Sequence, residues 1–302
     1  MKNSLLVGVV CAMLCCLGGC NGNSGKEDMG DLFPAQVLME SGCFAYGYIN
    51  IAGDFVIPPH FFEATDFDEG LACVRFDEWR YGFIDKNGKV VIDDLPDESV
   101  FSEGLARIWA DELKWGFIDK TGKFVIEPRF DDAWNFSEGM ARVKVGDKWG
   151  FIDKNGDVVI DIRFDGADSF AEGMAVVRMG DKWGFIDKKG DFVIEPRFDW
   201  AKSFTEGLAA VLVGDNWGFI DEKGEVVIEP RFDGADSFAE GMAAVEMDDR
   251  WGFIDKTGDV VIDIRFAWVE PFKNGLAKVK FKGKHILGYV NKKGKVVYEG
   301  EM

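Results

Sequence analysis

Residues Gly207 to Glu240 read GLAAVLVGDNWGFIDEKGEVVIEPRFDGADSFAE. Leu208 to Val213 is a short apolar, β-branched run of the kind that forms a strand. Gly214-Asp215-Asn216 supplies turn residues, and Trp217 to Asp221 is a second strand, aromatic and branched. Asp221-Glu222-Lys223-Gly224 fits a type I turn, with Asp accepting locally at the first position and Gly at the fourth. Glu225 to Glu229 carries a third strand that Pro230 is expected to stop. The rest, Arg231 to Gly241, is a crossover with Phe232, Ala235 and Phe238 as apolar pegs. The unit is a three-stranded meander with a packed connection at its end.

That unit recurs along the chain. The glycine of the Trp-Gly pair stands at Gly47, Gly82, Gly116, Gly150, Gly184, Gly218, Gly252 and Gly288, at intervals of 34 to 36 residues. The residue before it is Trp115, Trp149, Trp183, Trp217 or Trp251 in the middle copies, and Tyr46, Tyr81 or Leu287 towards the ends. Eight copies in phase fill residues 33–302 and give an all-β chain. A lone meander cannot cover its own apolar face, so the copies must pack on one another. Burying one indole removes about 200 Å² from water, worth up to about 5 kcal/mol, which points to the tryptophan column as the spine. The neighbouring glycine then allows close backbone approach or a bulge. Ala35 to Met39 opens the first copy and Lys295 to Tyr298 closes the last, so the array begins and ends on whole meanders. A propeller-like ring and an open superhelical β-solenoid both satisfy these constraints.

The repeated unit resembles the bacterial WG repeat, also called the KWG repeat, over nearly the whole stretch from residue 33 to residue 300. The resemblance implies a β-repeat protein and carries little about biochemical activity.

The first residues point outward from the cytoplasm. One positive charge, Lys2, precedes an apolar stretch from Leu5 to Leu17, too short and wrongly flanked for a spanning helix. The stretch ends in Leu17-Gly18-Gly19-Cys20, which resembles the bacterial lipobox. That resemblance implies removal of residues 1–19 and a lipid on Cys20 that anchors the protein in a membrane, where several acyl chains hold stably. An ordinary cleaved signal and a free periplasmic protein is the alternative. Residues 20–32 are then the lipidated cysteine and a polar, Gly- and Ser-containing tether. Asn21 in place of an aspartate resembles sorting to the outer membrane; membrane and leaflet stay open.

The net charge of -19 becomes -20 once Lys2 leaves with the leader. Such acidity argues against nucleic acid as a partner. Charge is uneven, with fifteen acids against five bases from Asp54 to Glu112 and eight lysines against two acids from Lys273 onward. This contrast fits either stacking of the two ends or a solvated terminal cap. After the leader and the lipid site, Cys43 and Cys73 remain, Cys43 expected in a turn and Cys73 at an exposed strand position. A disulfide between them requires Cα atoms within about 7 Å. His60 and His285 are the only histidines, which leaves no zinc spacing and no implied metal or cofactor.

The recurring carboxylates do not read as chemistry. Asp85, Asp119, Asp153, Asp187, Asp221 and Asp255 each open the same turn, and Glu69, Glu103, Glu138, Glu172, Glu206 and Glu240 each precede a loop glycine. Catalysis needs one asymmetric constellation, and no phosphate loop, HExxH, nucleophile elbow or EF-hand spacing is present. The chain is expected not to be an enzyme. Information should lie where copies differ. One such column is Arg75, Trp109, Lys144, Arg178, Leu212, Glu246 and Lys280 on the first strand; Trp134, Trp200 and Trp268 stand out in the crossover. Trp109, Trp134, Arg178, Trp200, Glu246 and Trp268 form the candidate binding surface, against the plainer reading that they fill gaps between copies. Asp165 to Met174 nearly repeats in Asp233 to Met242, which favours span or avidity. The expected partner is another envelope protein, with a glycan stacked on exposed indoles as the alternative.

Overall fold

A computed structural model describes residues 31–39, 42–110, 113–281 and 286–301. The leader, Cys20, the tether to residue 30, and His285 lie outside these residues. No helix among them is long and apolar enough to cross a membrane. The strands group into eight successive meanders, from Phe33–Leu38, Phe44–Ile49 and Phe55–Phe61 at the start to Leu276–Phe281, Ile286–Asn291 and Val296–Glu301 at the end. Each terminal meander is built from its own consecutive strands.

Two compact units divide the chain: one runs to Ile108 and includes Asp119–Lys123, and the other holds Trp109–Ile118 and Phe124–Met302. The division falls within the third repeat. In the first unit, a three-stranded sheet is followed by a four-stranded one made of Glu63–Ala64, Leu71–Arg75, Tyr81–Asp85 and Val90–Leu95. The second unit repeats the four-stranded pattern, as in Trp200–Ala201, Ala209–Val213, Asn216–Ile220 and Val226–Phe232. The crossover therefore contributes a fourth strand of two residues that the composition of the loop did not announce. In the seventh repeat the third strand runs on without a break as Val260–Val269 and joins two meanders into one seven-stranded sheet. Ala267 stands there where Asp131, Asp165, Asp199 and Asp233 interrupt the earlier copies.

In the fifth, sixth and seventh repeats both faces of the sheet are buried, each against a different neighbour. Ala210, Phe219, Ile228 and Phe232 pack with Ala235, Phe238, Ala243, Val245 and Ile254 of the following repeat. Ala209, Val211 and Ile220, one residue out of phase, pack with Val176, Phe185, Ile194 and Phe198 of the preceding one. This explains why Leu208 to Val211 is apolar without alternation: successive side chains point to opposite faces, and both faces are buried there.

The spine is phenylalanine, not tryptophan. Phe117, Phe151, Phe185, Phe219 and Phe253 are fully buried, and each meets a crossover phenylalanine of the next repeat, as Phe219 meets Phe238 with ring centroids 5.0 Å apart. Fully burying each such ring is worth about 1.5–3 kcal/mol. Trp115, Trp149, Trp183, Trp217 and Trp251 are only half-buried and lie against the edge of the core. The indole is two residues from the phenylalanine on the same strand and shares its face, but at the end of the sheet where the next copy no longer covers it.

The glycine beside each tryptophan does what its size allows. A Cβ on Gly218 would stand 2.6 Å from the Ile228 carbonyl oxygen and 2.7 Å from the Pro230 nitrogen. The register jumps at that point, from Trp217 opposite Phe232 to Phe219 opposite Ile228. Two extra third-strand residues bulge over the glycine. Pro230 sits in the bulge, so it does not stop the strand, which continues to Phe232; no ladder bond is lost there.

The two remaining cysteines are both free thiols. Cys43 is exposed beside a turn, where the Met39 N–H donates to its carbonyl. Cys73 is buried, contrary to expectation, because its face of the strand is covered by packing. Burial pushes its thiol up to about 11. His60 is exposed, its Nδ1 2.6 Å from the Pro58 carbonyl oxygen.

Gly218→Ala should destabilise the protein by about 2–3 kcal/mol in urea unfolding, because an added methyl has no space against backbone. Gly207→Ala, at φ +83 with nothing near its Cβ, should cost only the left-handed conformation, about 1 kcal/mol. Equal losses would show that backbone approach is not what the Trp-Gly pair requires.

Candidate binding face

The carboxylate ladders come first, since they are the densest chemistry in the chain. Asp221 Oδ1 accepts from the Lys223 and Glu225 N–H groups, and the Gly224 N–H donates to the Asp221 carbonyl. The sister aspartates at 119, 153, 187 and 255 cap their turns in the same way. The glutamates occupy the first of two left-handed positions in two-residue hairpins; Glu138 has φ +54 and Gly139 φ +87, the geometry of a type I′ turn. Their carboxylates reach the next copy. Glu172 accepts from the Glu206 and Gly207 N–H groups at 2.6 and 2.8 Å, and Glu206 from the Gly241 N–H at 3.0 Å. Lys188 pairs with Glu138, and Lys256 with Glu206.

A third ladder was not legible as such. Asp165 accepts from Lys148 Nζ at 2.5 Å in its own repeat and from the Gly180 N–H at 2.7 Å in the next. Asp131 and Asp199 bridge Lys114 to Gly146 and Lys182 to Gly214. Arginines of the third strand add a fourth: Arg197 and Arg231 donate to the carbonyls of Gly224 and Gly258. The ladders stitch neighbouring copies. Among the described residues no group of three or more His, Cys, Asp or Glu is placed to hold a metal.

The positions where copies differ lie in a row across each sheet. Arg178 stands opposite Gly166 on one side and Trp183 on the other, and Trp183 stands opposite Phe198. In the next copies the rows are Trp200, Leu212, Trp217, Phe232 and Gly234, Glu246, Trp251, Phe266. Volumes compensate within a row. Glycine lies opposite the long Arg178 and Glu246, and the large Trp200 lies opposite Leu212. A Cβ on Gly166 would meet Trp183 at 3.1 Å and Arg178 at 3.3 Å.

The first-strand column is thus half-buried, and its members are engaged. Arg178 Nη2 donates to the Asp165 carbonyl at 3.0 Å, and its guanidinium lies 5.8 Å from the Trp183 ring. Glu246 packs over Gly234. Trp109 is more open, at 37% exposure. The crossover tryptophans are more open still, at 44% for Trp134, 49% for Trp200 and 41% for Trp268, though Trp79 in a hairpin turn exceeds them all. Trp200 and Trp268 share a column, while Trp134 lies two residues further along the crossover in its own copy.

The structure gathers two of these tryptophans around a residue that reading the repeats passed over. Arg142 lies 4.3 Å from the Trp134 ring and 5.5 Å from Trp149. It pairs with Asp168 of the next copy at 3.1 Å. Beyond Asp168 opens a groove of about 370 Å³, bounded by Trp183, Trp200, Lys202 and Ser203. Trp183 and Trp200 touch there, with ring centroids 4.9 Å apart and planes tilted by 49°. Lys202 pairs with Asp236 at 2.5 Å. Of the expected surface residues only Trp200 lines this groove; Trp109, Trp134, Arg178, Glu246 and Trp268 do not. The signal for Arg142 is a column that alternates between basic Arg107, Arg142 and Lys278 and apolar Val176, Ala210 and Ala244.

The repeat described as WG containing repeat matches residues 46–78, 81–108, 115–149, 149–183, 183–217, 217–251 and 251–284. Its frame runs from one second-strand aromatic towards the next, so the opening strand Phe33–Leu38, the seven matched segments and the last two strands make up the eight meanders. No curated protein matches the chain. Among solved structures, the chain is similar to the computationally designed protein Ika8, with 9% identity over 78% of this chain and 85% of that one and a TM-score of 0.53. BamB from Moraxella catarrhalis, a propeller-like β protein, has 11% identity over 80% and 87%, with a TM-score of 0.52. At such identities the likeness concerns the fold alone.

The stitches make stability depend on acid. Lys148 and the Gly180 N–H hold the Asp165 carboxyl below the usual range, and Lys114 with Gly146, and Lys182 with Gly214, do the same for Asp131 and Asp199. A lowered folded pKa means that the unfolded chain binds the proton first. The contribution is therefore full above the ordinary carboxylate value of about 4 and is lost as pH falls through the lowered values. The melting midpoint should drop below about pH 4, and Asp165→Asn should flatten that drop. An unchanged acid limb in the variant would remove Asp165 from the account.

Proposed function

The chain belongs to the WG-repeat family, and we propose on that premise that it is a lipid-anchored scaffold of the bacterial envelope that binds another envelope protein through its row of crossover tryptophans. The observation that carries this reading is the exposure of Trp134, Trp200 and Trp268 on sheets buried on both faces. Such a mount holds an aromatic anchor at little further entropic cost, and tryptophan and arginine dominate the energetics of protein contacts. Arg142 lies beside Trp134, which suits the same use. Anchoring rests on Leu17-Gly18-Gly19-Cys20, and outer-membrane sorting on Asn21. The body is acidic and suits neither nucleic acid nor an anionic membrane surface. Repeated carboxylates engaged in turns and stitches support a binding role without catalysis. A saccharide ligand is favoured at one place on the face, the groove beside Trp200.

Two experiments test the proposal. Cys20→Ser should move the protein from the membrane fraction to the soluble fraction and abolish incorporation of a fatty-acid label; retention of both would refute the anchor. The full-length chain with an affinity handle, crosslinked in envelopes, should capture a defined protein. Truncating Trp134 and Trp200 to alanine should weaken that capture by about thirtyfold, the equivalent of about 2 kcal/mol. If alanine at Trp134, Trp200 and Trp268, and at Arg178 and Glu246, leaves each captured protein unchanged, this face is not the site.

A further inference from the structure

The groove between the fifth and sixth repeats differs from its sister positions in one respect that carries a ligand assignment. Trp200 occupies a column that holds a second tryptophan at Trp268 but is filled by Glu63, Asp132, Gly166 and Gly234 in other copies. In the second repeat the corresponding space is small, about 160 Å³, and Glu63 closes it. Glu63 accepts from Arg75 at 2.9 Å and from the Tyr81 hydroxyl at 3.0 Å. In the sixth repeat no carboxylate stands there. The space is about 370 Å³, within the range of small-ligand sites, about 300–1,000 Å³.

We propose that this groove is a binding site for a neutral pyranose unit of an oligosaccharide, seated against Trp200 and hydrogen-bonded by Asp168, Arg142, Lys202 and Ser203. A pyranose has an apolar face of C–H groups and a rim of hydroxyls that both donate and accept. The groove offers the complement. Trp200 is half exposed, and its inner face is taken by Trp183 at 4.9 Å, so one face of the indole is left for a ligand. A tilted, touching pair leaves no slot for a flat aromatic ligand between its rings. Around the indole stand an acceptor, Asp168, and donors on Arg142, Lys202 and Ser203; Ser203 Oγ lies 3.4 Å from Asp168 Oδ2.

Charge decides between a neutral and an acidic sugar. Arg142 is paired with Asp168, and Lys202 with Asp236. Both cations are neutralised within the protein, so the groove presents polarity without net positive charge. An anionic ligand would have to displace a carboxylate that is already in place. This reading adds a ligand to the scaffold and stands whether or not a protein partner binds.

The test is titration of the full-length chain by intrinsic tryptophan fluorescence and calorimetry with cellotriose, chitotriose and a trigalacturonate. At least one neutral trimer should bind saturably with a Kd near 1 mM, about 4 kcal/mol, and the trigalacturonate should bind at least tenfold more weakly. Trp200→Ala, compared well below its own melting midpoint because Leu212 across the row does not fill the space left, should lose at least tenfold in affinity; Trp200→Phe should stay within about threefold of the native chain. No saturable response to either neutral trimer at about 10 mM, equal affinity in Trp200→Ala, or preference for the trigalacturonate would each overturn the assignment. Protein capture read in the same variants separates this outcome from failure of the scaffold.

Discussion

A three-stranded meander has two apolar faces and no layer of its own to cover either. Everything else in this molecule depends on that constraint. In the fifth, sixth and seventh repeats the sheet lays one face on the copy before it and the other on the copy after, as Val211 and Ala210 do from adjacent positions on one strand. The sheet becomes the inner layer of two cores at once, so its strands lose the alternation that marks a half-solvated sheet. The polar groups obey the same logic at the rims. Carboxylates at the hairpins and crossovers accept N–H groups of the next repeat, and third-strand arginines donate to turn carbonyls one repeat on. Apolar faces and polar rims thus bind the same neighbours, which is the physical content of a repeat whose stability resides in its interfaces.

The Trp-Gly pair, the most visible feature of the sequence, plays a part different from the one its size suggests. The glycine is the indispensable member, because the third strand bulges over it with backbone atoms too close to admit a Cβ. The tryptophan is held at the open end of the core, half covered. That placement joins the structural column to the candidate site: Trp183 both seals the edge of its own core and backs Trp200, whose outer face is offered to solvent. A fully buried spine could not have done this. The phenylalanine two residues away carries the packing and leaves the indole at the rim.

Particular residues show where reading the chain succeeded and where it stopped. The strands, the capped turns and the crossover pegs Phe232, Ala235 and Phe238 were legible because each depends on local chemistry repeated in phase. The two-residue crossover strand was not, because pairing such as Ala201 with Val211 is visible only once the chain has returned on itself. A strand viewed alone has an inside and an outside, which puts Cys73 on an exposed face; this strand has two insides. Proline ends an ordinary strand, yet the bulge over Gly218 lets this one absorb Pro230. Arg142 shares a column with Arg107 and Lys278 as well as with the smaller Val176, Ala210 and Ala244; its meaning comes only with Asp168 from the next copy and Trp134 from its own crossover.

The sequence by itself determined the period, the meander within each period, the turn chemistry that closes it, and the need for copies to cover one another, since all of these are properties of short segments and their repetition. Which members of the variable columns meet was decided by tertiary structure alone. Trp183 and Trp200 are seventeen residues apart in the chain and Arg142 and Asp168 twenty-six, and each pair lies on different repeats. Only the packing of one sheet on the next brings a residue of one copy within reach of the loop of another. The candidate site is therefore a property of the interface between copies, while the fold is a property of the copy.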